Sequence, residues 1–503
     1  MSAVFVPVPD EMLVGGKWRQ ADGPKTRVLD PATGAVLQEI SQSCADDVDE
    51  AVARGAEAAA DPGWRDLLPH QRARYLHAIA DAVEAAADSL ATLQSFNTGK
   101  ALRETRALVA SAVGTFRYFA AVLETSDEAK TTSRGEYLTW VKQEPIGVIG
   151  AIAPWNSPIA SDAQKIAPAL AAGNAVVLKP AEWTPLVSLA LARLIVDSGL
   201  PAGLLSVLPG RGSVVGDAIV RHPGIGKVSF TGGTDTGRGI AHLAAEKLMP
   251  VSLELGGKSP TMVLDDADVE QAIAGVMYGI FSSSGQSCIA GSRLFVAESL
   301  YDDFLDRLVE RTRQLVVGNG FDDATHVGPL VHPKHRDSVA AYVDLARAEG
   351  GTVRCGGGVP DDPRLADGAY YLPTIIDGLA NSARVCQEEI FGPVLLALPF
   401  RDEDDLVAQA NDSVFGLASG IWTRDYRRAL RLADRIQAGT VWINTYKAFS
   451  ISTPFGGIKE SGLDTEKGRE GIAAYSRAKG VYLGMSDTPH PWAPRTPRVD
   501  TAG

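Results

Sequence analysis

Cysteine is scarce in this chain. Four occur in 503 residues, Cys44, Cys288, Cys355 and Cys386, widely scattered and without a CxxC pair. That spacing excludes a disulfide-stapled scaffold and a thiolate zinc site, and no metal is expected. A reduced, cytoplasmic setting is the simplest expectation. Positive charge is also in deficit, with 48 Lys and Arg against 61 Asp and Glu and a net charge of −13. A chain this acidic is poorly suited to nucleic acid as a main partner. No run approaches the roughly twenty uninterrupted apolar residues of a membrane helix, so no membrane partner is expected. The stretch from Met1 to Glu11 lacks the basic start and apolar run of a signal peptide. What remains is an ordinary globular composition, 22% charged and 45% hydrophobic, on a chain too long for a single core.

Taken in order, residues 1–40 read as an arm of short strands, with turn signals at Gly15-Gly16 and from Asp30 to Gly34. Asp46 or Asp47 is placed to cap a helix that runs to Ala60. A second helix is predicted over 70–96, where Leu76, Ile79, Ala80, Val83, Leu90 and Leu93 recur at three and four. Gly99 stops it, and a third helix follows over 101–123. With no strand between them, these helices form a layer against something else. Segment 136–141 alternates in the manner of an exposed strand, either an arm reaching outside its domain or a surface hairpin. From Gly147 five short apolar strands (147–151, 175–178, 204–208, 227–230 and 251–253) alternate with helices over 161–172, 185–198, 213–221 and 236–245. That alternation predicts an α/β fold with a Rossmann-like doubly wound parallel sheet. A second α/β segment begins near Lys258, with helices over 269–283, 300–316, 334–349 and 405–410 and strands over 293–297, 393–398 and 440–443. The proline-bearing tail after Ser486 is expected to be extended or mobile.

Doubly wound sheets bind ligands at the carboxyl ends of their strands. Here five consecutive strand ends carry a polar or glycine signal: Pro154-Trp155-Asn156, Lys179-Pro180-Ala181-Glu182, Gly210-Arg211-Gly212 with Gly216, Phe230 to Gly237, and Glu254 to Lys258. The fourth, G-G-T-D-T-G opening a helix, reads either as a cradle for a pyrophosphate or as an ordinary strand–helix turn. Lys179 and Glu182 read as ribose contacts or as solvated loop charges. A carboxylate at Glu182 would repel a 2′-phosphate, so NAD is expected rather than NADP. Glu254 ends an apolar strand inside the crevice and reads as a general base or as a structural carboxylate. Asn156 offers an amide to an oxyanion, or forms an Asx-turn. In the second segment, Phe281 to Arg293 is small, polar and glycine-containing around one thiol. Cys288 there is a candidate nucleophile, or a small buried hydrophobe.

Together these motifs resemble the aldehyde dehydrogenase superfamily, from about Val14 to Leu483. P-W-N, K-P-A-E, F-T-G-G-T-x-x-G, L-E-L-G-G-K-S-P, G-Q-S-C, E-E-I-F-G-P-V and P-F-G-G-I-K-x-S-G occur in the family's order. The resemblance implies that Cys288 attacks an aldehyde, with the oxyanion held by Asn156 and the Cys288 N–H. It implies a water activated by Glu254, and a proton path through Lys165 and Glu466. It assigns to NAD the residues Ile152, Pro154, Trp155, Lys179, Glu182, Gly212, Gly216, Phe230, Gly232, Gly233, Thr236, Leu255, Glu389 and Phe391. Gly233 stands where the family often has serine. The implied domains are a cofactor domain of 1–125 with 146–256, a catalytic domain of 257–460, bridging elements at 126–145 and 474–490, and a tail at 491–503. The implied small bridging β-sheet would join homodimers or homotetramers.

The substrate side departs from the aliphatic members. Ser157, Ser161 and Gln164 stand where those members carry bulky apolar groups, beside Ser287, Ile289, Phe449 and Phe455. Lys447 falls near the expected tunnel mouth, as a ligand contact or as a solvated rim charge. A plain alkyl substrate would leave such groups unpaired, at about 1–3 kcal/mol each if dry. A polar or carboxylated semialdehyde is the expected substrate. Two alternatives are a CoA-acylating member, which typically lacks the glutamate present here as Glu254, and a cysteine hydrolase. The hydrolase needs a histidine partner, and none of the eight histidines lies in a motif beside these loops.

Overall fold

The computed structural model describes residues 8–127, 129–490 and 492. Its first sheet is built on five parallel strands in the spatial order Leu205–Val207, Ala175–Lys179, Val148–Ile152, Ile225–Thr231, Val251–Glu254. Val148–Ile152 is the earliest of the five in sequence and lies in the middle, so chain progression reverses there. Such a switch point opens a crevice at the strands' carboxyl ends. Covered on both faces, the strands read as unbroken apolar runs. Antiparallel pieces close the edges. On one side lies the hairpin Met12–Val14 with Lys17–Arg19, turned by Gly15 and Gly16 at φ +58° and +80°. On the other, Gly462–Leu463 pairs with Leu253 and Glu254.

The expected helical layer is present, with Leu102–Glu124 packed on Pro69–Ala85 and on Pro158–Ala171. Leu102–Glu124 is long and apolar enough to cross a bilayer, but Val109, Ala112, Phe116 and Phe119 bury it in the domain core. The helix predicted over 70–96 is two helices, Pro69–Ala85 and Ala87–Thr98, broken at Ala86. No glycine or proline marks the break, and periodicity alone reads straight through it. The first helix starts from Cys44, whose N–H donates to the Asp47 carboxylate 2.8 Å away; neither Asp46 nor Asp47 is the capping residue itself. The helix predicted over 213–221 begins as a π-turn, Gly212–Gly216, before Asp217–Arg221.

The second sheet has seven strands in the order Thr352–Cys355, Thr374–Asp377, Val394–Phe400, Arg293–Ala297, Pro260–Val263, Ala418–Trp422, Thr440–Ile443, parallel except at the first. Four of these, and the helix Tyr426–Arg435, are absent from the sequence reading. Pro260–Val263 and Ala418–Trp422 are short and buried throughout, so they show neither alternation nor length. A third, three-stranded sheet joins Ala129–Thr131, Tyr137–Pro145 and Ser476–Gly484. Of the tail expected from 491, Trp492 alone lies within the described residues.

Candidate active site

Two clefts meet at Cys288. The first, about 670 Å³, follows the carboxyl ends of the parallel strands. Every residue expected to contact the dinucleotide lines it, from Ile152, Pro154 and Trp155 through Gly232, Gly233 and Thr236 to Glu389 and Phe391. The second, about 500 Å³, opens on the other side. It is lined by Glu254, Glu466 and each expected substrate residue: Ser157, Ser161, Gln164, Ser287, Ile289, Lys447, Phe449 and Phe455. Cys288 and Asn156 line both. Lys165 lines neither; it lies fully buried behind Glu466.

The Cys288 loop is pinned from three sides. It follows the tight turn Ser282–Gly285, where Ser283 and Ser284 adopt φ +58° and +56°. Gly285 lies against the loop of Glu389 and Phe391: an added Cβ would stand 2.1 Å from the Gly392 carbonyl oxygen. Gln286 accepts the Val331 N–H at 2.8 Å through its side chain, and the Asn156 Nδ2–H at 3.0 Å through its carbonyl. Asn156 thus spends one amide hydrogen on positioning and keeps the other at the junction. Gly257 closes the third side; its Cβ would meet the Cys288 carbonyl oxygen at 2.3 Å.

Burial, then the carboxylates Glu389 and Glu254, push the Cys288 thiol up to about 12, opposed weakly by Lys447. Glu254 is 5% exposed, and neither carboxylate oxygen has a hydrogen-bond partner among the described residues. Burial and the neighbouring Glu466 raise it well above the usual carboxylate range, against the pull of Lys165 and Lys467. Lys165 Nζ donates to Glu466 Oε1 at 2.8 Å and to Ser229 Oγ at 3.0 Å. Glu389 accepts the Gly257 N–H at 2.9 Å, and burial pushes it up to about 7.

In the first cleft, helix Thr234–Ala245 points its N-terminus at the strand ends. An added Cβ at Gly212 or Gly233 meets nothing within 4 Å, so the backbone there stands open to the cleft. Bare backbone beside a helix N-terminus fits a pyrophosphate. Lys179 Nζ donates to the Pro180 carbonyl at 2.8 Å, and Arg211 lies 4.0 Å from Glu182. In the second cleft Ser157 and Ser161 share a hydrogen bond of 3.0 Å. Lys447, weighed above as a solvated rim charge, is instead half-buried and donates to Ser282 Oγ at 2.8 Å. Burial pushes its ammonium down to about 7.

The geometry has the two halves of a dehydrogenase, a dinucleotide-shaped cleft and a thiol at its inner end. The model of the Aldehyde dehydrogenase family matches residues 18–481. The chain belongs to the aldehyde dehydrogenase family. Among aldehyde dehydrogenases it is 42% identical to phenylacetaldehyde dehydrogenase of Pseudomonas fluorescens, over 95% of this chain and 96% of that one. It is 41% identical to betaine aldehyde dehydrogenase of Brucella anthropi, over 95% and 98%. The betaine aldehyde dehydrogenase of Staphylococcus aureus, solved in complex with NAD+, superposes with a TM-score of 0.95 at 34% identity, covering 97% of each chain. A crystal structure of a point mutant of that enzyme carries NAD+ and a BME-modified cysteine. The α/β fold and the enzyme class, an NAD(P)-dependent aldehyde oxidoreductase, therefore stand as the sequence predicted.

Several residues of this aldehyde dehydrogenase's clefts escaped the sequence reading. Lys100, Glu104, Tyr278, Ser282 and Lys467 line the second cleft, and His335 the first. Lys100 follows Gly99, whose role as a helix stop masked it. His335 is a histidine in the crevice after all. Its Nε2 is 2.8 Å from the Phe391 carbonyl oxygen, and its ring packs on Trp155. No hydrogen bond among the described residues joins it to Cys288, so the hydrolase reading gains no dyad.

Proposed function

We propose that this protein oxidises a polar or carboxylated aldehyde to its acid with NAD, through a covalent intermediate on Cys288. The observation that carries the reading is the place of Cys288, at the junction of both clefts. The Cys288 thiol gives its proton to water in the cleft, and the resulting thiolate adds to the aldehyde carbon. The resulting oxyanion is held by the free Asn156 amide hydrogen and the Cys288 N–H. When bound, the nicotinamide supplies the hydride acceptor. Loss of hydride from the tetrahedral carbon leaves a thioester on Cys288. Glu254, with both oxygens unpartnered among the described residues and lining the second cleft, takes a proton from the attacking water. The acid leaves, the Cys288 thiolate is regenerated, and the proton passes from Glu254 toward Glu466 and Lys165. Gly232 and Gly233 would receive the pyrophosphate; Lys179 and Glu182 the ribose; Glu389 and Phe391 the nicotinamide end. Glu182 supports NAD over NADP, although Arg211 stands close enough to compete for a phosphate.

On the substrate side Lys447, Ser282, the Ser157–Ser161 pair and Gln164 favour a distal acidic or polar group over plain alkyl chain. The division into cofactor domain, catalytic domain and bridging sheet is proposed with the boundaries given above. Self-association is proposed through the three-stranded sheet, whose edge strand exposes Tyr482 (74%) and Leu483 (49%). A cytoplasmic site of action accords with the four unpaired cysteines.

The test is pre-steady-state NADH formation over an aldehyde panel. Cys288→Ala is expected to abolish turnover while leaving NAD binding within about twofold, since the thiol is not needed to hold the cofactor. Glu254→Gln is expected to keep an NADH burst and lose the steady state. Steady NADH release by clean Cys288→Ala protein overturns the assignment.

A further inference from the structure

Four largely buried charges lie together at the second cleft, three lining it and Lys165 behind them. Lys165 is 0% exposed, Glu254 and Glu466 are each 5% exposed, and Lys467 is 9% exposed. Lys165 donates to Glu466 and Ser229, and among the described residues no hydrogen bond joins it to Glu254. Two carboxylates against one ammonium would leave a net negative charge among groups at most 9% exposed, which is costly to bury.

Lys467 is the second cation. No hydrogen bond or ion pair reaches its ammonium among the described residues, yet it lines the same cleft as Cys288 and Glu254. Two rings hold it instead: Nζ lies 4.1 Å over the centroid of Phe449 and 5.2 Å over that of Phe455. Contacts of this kind attract a cation to the ring faces. The backbone is bent to permit it. Phe455 and Glu466 exchange N–H···O bonds of 2.8 and 2.7 Å, which locks Glu466. Lys467 then turns into the left-handed region at φ +61°. That conformation is strained for a side-chain-bearing residue, and it persists because the bridge before it and the rings beside it hold it.

We propose that Lys467 is a positioning residue for Glu254: it supplies the countercharge that lets the carboxylate ionise, while the Phe449–Phe455 clamp keeps it from occupying the oxygens that must hold water. The proposal rests on Glu254 being the base. A direct salt bridge would also favour ionisation, but it would fill an oxygen that water needs. A cation held on aromatic faces acts through space and leaves both oxygens free. The charged groups facing Glu254 are Glu466 and Asp464, which oppose its ionisation, and Lys165 and Lys467, which favour it. Those facing Lys467 are Glu466, Glu254 and Cys288. Removing the Lys467 charge leaves only Lys165 against the carboxylates, so Glu254 holds its proton to higher pH.

The test compares Lys467→Met, Lys467→Arg and Glu254→Gln with wild type, using hexanal as a neutral probe, from pH 5 to 9. Lys467→Met is expected to move the acid-side midpoint of kcat up by about one pH unit, with the KM for hexanal and the affinity for NAD within about twofold. Lys467→Arg keeps the charge and restores the midpoint. Circular dichroism checks folding; if Lys467→Met unfolds, Lys467→Gln takes its place in the same comparison. An unmoved midpoint in the neutral variants overturns the proposal, as does a change confined to KM, which would make Lys467 a substrate contact. Glu254→Gln separates the two ideas. If it retains full steady-state turnover, the base assignment itself fails. If it stops at the burst while the neutral Lys467 variants titrate like wild type, only the role of Lys467 fails.

Discussion

Lys447 shows what one side chain's surroundings decide. In sequence it is a lone charge near a tunnel mouth; in the fold its ammonium is half-buried against Ser282 and pushed down to about 7. The sign follows directly. Below about pH 7 the group is cationic and can pair with a carboxylate; above it, the neutral amine cannot. The KM of an ω-carboxy aldehyde is therefore expected to rise as pH climbs through 7, while that of a length-matched alkyl aldehyde stays flat. In Lys447→Met the difference should vanish, with a loss for the acid of roughly 1.5–3 kcal/mol in kcat/KM, as for a hydrogen bond to a charged group. Parallel profiles for both substrates in wild type would return Lys447 to a solvating role. The candidate residues themselves were largely legible, because catalytic chemistry uses few side-chain types and most stood in a loop at a strand end or in the helix that follows it. Lys467 and Lys100 were not, because a lysine's burial depends on elements distant in sequence.

At the scale of elements, the site is made by strand ends and the loops between them. Pairing of Ile225–Thr231 with Val251–Glu254 sets Thr231 beside Glu254, and the antiparallel return of Gly462–Leu463 closes the edge. The return also delivers Glu466 to Lys165 across 301 residues of sequence. Both partners are almost wholly buried, so removing one leaves the other charge uncompensated. Lys165→Met is expected to destabilise the protein by about 3–5 kcal/mol in denaturant unfolding; a loss below about 1 kcal/mol would mean that water reaches Glu466. Gly257 carries a different constraint, contact rather than charge. Its Cβ would meet the Cys288 carbonyl oxygen at 2.3 Å, so Gly257→Ala is expected to lower kcat at least tenfold by shifting the nucleophile's loop. Unchanged kcat would show that the loop can give way. The break at Ala86 and the π-turn at Gly212–Gly216 were invisible in the chain, since both are packing decisions within helix-favouring sequence.

For the whole molecule, the three-stranded sheet is the part with least cover. Tyr482, Leu483 and Met485 project from it, at 74%, 49% and 58% exposure. Exposed apolar groups on an edge strand favour pairing with another sheet. A Tyr482→Glu, Leu483→Glu double variant is expected to lower the assembly state in sedimentation while leaving each protomer's fold and NAD binding intact. An unchanged sedimentation coefficient would place the interface elsewhere.

The sequence by itself determined the family, the parallel-sheet architecture around the first cleft and the candidate residues for the chemistry. Those signals are local: periodicity of apolar positions, glycine and proline punctuation, and motifs a few residues long. The tertiary structure alone decided which charges share a pocket. Lys165, Glu254 and the pair Glu466-Lys467 come from three separate stretches of chain, and Lys447 meets Ser282 across 165 residues. Their proton affinities depend on burial and on neighbours within a few ångströms. Those neighbours exist only once the chain is folded.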